Sequence, residues 1–172
     1  DKKTLYIATY NGQEAVVRAL IELGADVNKV SGDGFSPLYV GAQNGHETVL
    51  RSLIELGADV NDAEDEGATP LSIAAQQGHE TVVQALIELG ADVNKATDEG
   101  WTPLFTAAHS GHEMVVRALI EFAADVNKAT DTGATPLWIA AHNGHETVVR
   151  ALIELRADVN KAKDDGATPL FM

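Results

Sequence analysis

Thr69-Pro70-Leu71-Ser72-Ile73-Ala74-Ala75-Gln76-Gln77-Gly78 is the stretch on which the architecture turns, because nearly every position has a physical reason to start, carry or stop a short helix. Thr69 is a good N-cap, and Pro70 suits the first helical position, where its missing N–H costs nothing. Ala74 and Ala75 favour helix and are small enough for a neighbouring helix to come close. Gly78 ends the segment, where a left-handed residue is usually required. Reading outward, Glu80 falls in the first turn of a second helix, favourable to its dipole. Val82, Val83, Leu86 and Ile87 then form an apolar stripe at helical spacing. Gly90 stops that helix, and Ala91-Asp92-Val93-Asn94 leads into a turn-rich connection through Asp98 and Gly100.

The same unit recurs. GATPL or a near copy begins at Gly34, Gly67, Gly100, Gly133 and Gly166, always 33 residues apart. Gly-His recurs at Gly45-His46, Gly78-His79, Gly111-His112 and Gly144-His145, and ADVN recurs with its Asn at 28, 61, 94, 127 and 160. A fixed order copied without insertion is a repeat array. Two short antiparallel helices and a protruding turn cannot bury their own stripe. Stacking on neighbours does so, with roughly 10 Å between layers. The copies divide the chain into a partial repeat over 1–29, complete units over 30–62, 63–95, 96–128 and 129–161, and a partial piece over 162–172, all within one domain.

The pattern G-x-T-P-L-x-x-A-A-x-x-G-H-x-x-V-V-x-x-L-I-x-x-G-A-D-V-N resembles the ankyrin repeat over nearly the whole length. That resemblance implies an all-α solenoid of stacked helix-turn-helix units with protruding β-hairpin-like turns, whose concave face of turns and first helices binds proteins. One departure stands out: the family's T-P-L-H has no His here, its place being taken by Tyr6, Tyr39, Ser72, Phe105, Trp138 and Phe171. The family also implies that Asn28, Asn61, Asn94 and Asn127 resemble sites of asparaginyl hydroxylation, against the plainer expectation of hydrogen bonding within the loop.

Composition narrows the function classes. The formal net charge is −14, which argues against nucleic acid and anionic membrane surfaces and towards a basic protein partner. The chain has no cysteine, which suits a reducing compartment, the cytoplasm or nucleus. No apolar run approaches membrane-spanning length. There is no P-loop, no dinucleotide-binding glycine motif and no nucleophile beside a matching base, so neither a cofactor nor enzymatic activity is expected. His109-x-x-His112 and His142-x-x-His145 superficially suggest metal ligands. No carboxylate or Cys stands beside them at zinc-like spacing, and no metal is expected.

Two sets of residues mark a candidate partner-binding face. The turn tips hold Asp33, then Glu64, Asp65 and Glu66, then Asp98 and Glu99, then Asp131, then Asp164 and Asp165, read as nine acids without a base. As a set they form an acidic ridge, although individual turn acids also shape turns. The second set is where copies differ: Phe35, Ala68, Trp101, Ala134 and Ala167 at the tips, and Tyr39, Ser72, Phe105, Trp138 and Phe171 two residues after the proline. The end of the first helix varies too, through His109 and His142. Exposed aromatics among polar residues build binding hot spots, so the expected site is Phe35, Tyr39, Trp101, Phe105, His109, Trp138 and His142 with Asp65, Glu66, Asp98 and Glu99. The plainer alternative packs Tyr39, Phe105 and Trp138 between turns in place of the family His.

Three further expectations concern the scaffold. Glu-Arg-Glu ladders, such as Glu14-Arg18-Glu22, are expected to pair within each second helix. Ala123 and Arg156 replace the glycine that ends the second helix, at a cost of about 1 kcal/mol if the site is left-handed. The last piece stops at Met172 before a second helix, so an apolar patch is expected near Val148 and Leu152, in a segment of a longer array or one stacking end to end. A structural spacer or self-assembling segment is the alternative to a binding module.

Overall fold

A computed structural model describes residues 2–32 and 34–171, with the backbone alone for Lys2, Lys3 and Phe171. Asp33 of the acidic ridge and the Phe171 side chain of the variable row therefore lie outside the described residues. Among these residues ten α-helices follow in order: α1 (Lys2–Tyr10), α2 (Glu14–Glu22), α3 (Pro37–Gln43), α4 (Glu47–Glu55), α5 (Pro70–Gln77), α6 (Glu80–Glu88), α7 (Pro103–Ser110), α8 (Glu113–Glu121), α9 (Pro136–His142) and α10 (Glu146–Glu154). A single 3-10 turn at Pro169–Phe171 packs on α9. Among the described residues there is no β-strand.

Each first helix starts as its residues dictate. The hydroxyls of Ser36, Thr69, Thr102 and Thr135 accept from the backbone N–H three residues on, at 3.1–3.2 Å, with proline at the first helical position. The second helices have no such side-chain cap. Their N-cap histidines instead reach back: Nε2–H of His46, His79, His112 and His145 donates to the carbonyls of Tyr10, Gln43, Gln76 and His109 at 2.8–3.0 Å. The repeated Gly-His is thus a clasp between successive units.

Odd-numbered helices stack in one layer and even-numbered helices in the other. Between them, Leu38, Leu71, Leu104 and Leu137 from the first layer meet Leu53, Leu86, Leu119 and Leu152 from the second, all fully buried. Each such side chain contributes about 1.5–3 kcal/mol of transfer free energy. The ADVN loops are tied similarly. Oδ1 of Asn28, Asn61, Asn94 and Asn127 accepts from the backbone N–H of Asp59, Asp92, Asp125 and Asp158 at 2.8–3.2 Å.

Ala123 and Arg156 have φ of 66° and 70°, the left-handed region that Gly24, Gly57 and Gly90 occupy at the same repeat position. Arg156 makes no ion pair or side-chain hydrogen bond among the described residues, so nothing offsets its backbone cost. Arg156→Gly is expected to raise stability by about 1 kcal/mol, or ~2–4 °C in the thermal midpoint. A lowered midpoint in a thermal melt would show that the arginine makes a stabilising contact.

Two expectations are corrected here. The arginines do not pair with both acids of their own helix. Arg18 bonds Glu14 at 3.2 Å and then Glu55 of the next repeat at 2.6 Å, not Glu22. Arg51 likewise spans Glu47 and Glu88, and Arg117 spans Glu113 and Glu154. The neighbouring second helix lies alongside, so its acid is nearer than the one a turn further on. These pairs are open to water, which screens them, so they add little to stability. Val148 and Leu152 do not form an open patch either: α10 leans on α8 and α9, and both side chains are fully buried. Among the described residues of that region, Ile153, Val159 and Leu170 are exposed apolar side chains.

Candidate functional site

The turn tips are built identically. In the tip over 64–68, the Glu64 N–H donates to the Ala68 carbonyl at 3.1 Å and the Gly67 N–H to the Glu64 carbonyl at 2.9 Å, with Gly67 at φ 83°. Successive tips are stitched together, Asp98 N–H to Glu66 O at 3.1 Å and Asp131 N–H to Glu99 O at 3.3 Å. The backbone bonds set the tips side by side, which brings carboxylates of neighbouring repeats into one row. Asp65, Glu66, Asp98 and Glu99 are all exposed. Glu64 is turned inward, its Oε1 accepting from the backbone N–H of Glu66 and Ala68 at 3.1 and 2.9 Å, so it shapes the turn.

The tips are not without a base, contrary to expectation. Lys163 takes the repeat position of Glu64, and its N–H donates to the Ala167 carbonyl as that of Glu64 does to Ala68. Its ammonium lies 3.2 Å from an Asp165 carboxylate oxygen and 4.9 Å from the centroid of the Trp138 ring.

Among the aromatics the structure separates two groups. Tyr39, Phe105 and Trp138 are 8 %, 2 % and 9 % exposed, packed between turns rather than displayed. They stand three positions past the helix cap, where the first-helix layer closes against the tips, and burial removes more apolar surface than display would. The Trp138 indole N–H is buried without a hydrogen-bond partner. Phe35 and Trp101, one turn earlier, keep part of their surface open. Each leans on the buried ring below it: Phe35 is stacked on Tyr39 at 4.9 Å, and Trp101 is tilted on Phe105 at 5.0 Å and on His109 at 5.4 Å. His142 is exposed and stacked on Trp138 at 5.0 Å.

Between these aromatic pairs lies an open groove of about 540 Å³. Phe35 and Tyr39 line one end and Trp101 the other. Ala68, Ser72 and Gln76 line the unit between them, with Glu64, Glu66, Asp98 and Glu99 on the tip side. No lysine or arginine is among its lining residues. The groove exists because the middle repeat carries Ala68 and Ser72 where its neighbours carry rings. Ser72 instead completes a reciprocal cap, accepting from the Thr69 N–H at 2.8 Å and donating to the Thr69 carbonyl at 2.8 Å. Burial, with the negative charge of Glu64 and Glu66 added, pushes the Tyr39 phenol up to about 12. Four carboxylates and no basic side chain line the groove, so its net charge is negative.

The site residues thus divide. Phe35, Tyr39 and Trp101 meet Glu66, Asp98 and Glu99 in one groove, whereas Phe105 lies beneath it and Asp65 outside its lining. Trp138 and His142 belong to a separate station further along the stack. Ala68, Ser72 and Gln76 stand in the variable rows but outside the expected site set, and the signal for the groove is the small pair Ala68 and Ser72 flanked by rings in the neighbouring repeats. Among the described residues, no three His, Cys, Asp or Glu side chains are grouped so as to hold a metal ion, and no helix is long and apolar enough to cross a membrane.

Three overlapping windows, residues 5–97, 42–130 and 89–163, match the family model for ankyrin repeats. No curated protein matches the chain.

Proposed function

Because the chain belongs to the ankyrin repeat family, whose repeats are generally protein-interaction modules rather than catalysts, we propose that the whole of residues 1–172 serves as one interaction domain binding a basic surface of a partner protein. The contact is made through the turn tips and the open edge of the first-helix layer. The observation that carries this reading is the groove at Phe35, Trp101, Glu66 and Asp98: partly open aromatics beside carboxylates, with no lysine or arginine lining it. Aromatic anchors supply contact area, and the unpaired acids steer a cationic partner and reject acidic ones. The absence of cysteine and the net charge of −14 fit a partner met in the cytoplasm or nucleus.

Affinity capture from lysate tests the proposal, comparing the parent chain with a folded Phe35→Ala, Trp101→Ala, Glu66→Gln, Asp98→Asn variant. The expected result is a basic protein retained by the first and lost by the second, since truncating a hot-spot aromatic costs about 2 kcal/mol or more. Identical captures by both would refute the face assignment. A second reading, end-to-end self-assembly, draws on apolar side chains exposed in the terminal units, Leu23 at one end and Leu170 at the other. Capture of nothing, together with a sedimentation coefficient that rises with concentration, would favour it.

A further inference from the structure

Lys163 offers an internal template for what the groove takes. Its ammonium stands over the Trp138 ring at 4.9 Å and against Asp165 at 3.2 Å. Trp138 and Tyr39 occupy equivalent places in their repeats, as do Lys163 and Glu64. At the fifth tip, then, the chain itself sets a cation between an aromatic ring and a tip carboxylate. At the groove the ring and the carboxylates are present, but the tip residue is an acid.

We propose that the groove between Phe35, Tyr39 and Trp101 is a receptor for a single cationic side chain, a lysine or arginine of a basic peptide segment, held between the aromatic walls and the carboxylates of Glu66 and Asp98. This inference rests on the partner-binding reading above and specifies its contact. A ring face attracts an organic cation through its quadrupole, more strongly where water is partly excluded. The volume of about 540 Å³ accommodates an extended side chain with some of its flanking backbone. Glu66, Asp98 and Glu99 have no basic neighbour in the lining, so a cation entering there meets charge that no base offsets, while Glu64 stays committed to its turn. Ala68 and Ser72 are what keep the place open: a ring at either position, as in the repeats on both sides, would fill it.

The protein supplies its own reporter and control. It has two tryptophans, Trp101 in the groove and Trp138 beneath Lys163. The test follows both indole N–H resonances of the ¹⁵N-labelled chain during titration with acetyl-arginine amide, acetyl-lysine amide and the neutral isostere acetyl-citrulline amide. The expected result is a saturable shift of the Trp101 signal with the two cations, little movement of Trp138, and weakening at higher salt. Ala68→Phe, a ring the scaffold already carries at Phe35, should weaken the titration about tenfold by filling the groove. Glu66→Gln with Asp98→Asn, which leaves shape unchanged, should weaken it similarly. No shift, an equal response to the citrulline probe, or an unaltered titration in Ala68→Phe would overturn the proposal. If that happens while a captured partner still depends on Phe35 and Trp101, only the cation receptor fails. If the cations bind as expected but capture is indifferent to the face, only the broader reading fails.

Discussion

Gly78→Ala is expected to lower stability by about 2–3 kcal/mol, more than any glycine-to-alanine change at an open left-handed site. Gly78 caps α5 at φ 77°, where a side chain alone costs about 1–2 kcal/mol. The added Cβ would stand 2.7 Å from Nδ1 and 2.8 Å from Cε1 of His112. That ring cannot simply swing aside, because its Nε2–H is bonded to the Gln76 carbonyl at 2.8 Å. Losing the bond adds about 1 kcal/mol. Gly144 is the control: it has φ 74°, and nothing lies within 4 Å of the position its Cβ would take. Gly144→Ala should therefore show the conformational cost alone, about 1–2 kcal/mol. Urea midpoints of the two variants separate the contributions, and equal losses would show that the histidine clasp couples nothing.

Leu86→Ala should cost about 2–5 kcal/mol, and Leu20→Ala distinctly less, although the two leucines hold the same repeat position. Leu86 of α6 is fully enclosed, with α4 and α8 on either side. Leu20 of α2 is only partly buried, with α4 on one side. Truncating the first leaves a cavity that its neighbours cannot collapse into, while truncating the second exposes a wall already near solvent. Denaturant titration of both variants is the check. Equal destabilisation would mean that burial is set within a repeat, contrary to the stacking account. Because each unit touches only its neighbours, the loss at Leu86 should also appear as early exchange of α4, α6 and α8 amides relative to α10.

The corrections share one origin. Helical spacing pairs Arg18 with Glu22, yet its second partner is Glu55, from a helix that only stacking brings alongside. Tyr39, Phe105 and Trp138 vary between copies as a binding row would, and sequence leaves display and packing both open; the three are nearly buried, with Tyr39 still lining the groove. Lys163 reads as part of a loop until the Ala167 hydrogen bond assigns it to a turn tip and the ring of Trp138 lies under its ammonium.

What the sequence determined by itself was everything with local physics. The caps at Thr69 and its equivalents, the stop at Gly78, the strained Ala123 and Arg156, and the 33-residue step that makes the fold an ankyrin array all depend on residues within one turn or one period of each other. What only the tertiary structure decided was which members of a repeated row face outward, where charges find partners, and that Ala68 and Ser72 open a groove between Phe35 and Trp101. Those outcomes depend on side chains of different repeats meeting across a layer, as Arg18 meets Glu55 and Trp138 meets Lys163, and identical local sequence carries no record of which neighbour stands opposite.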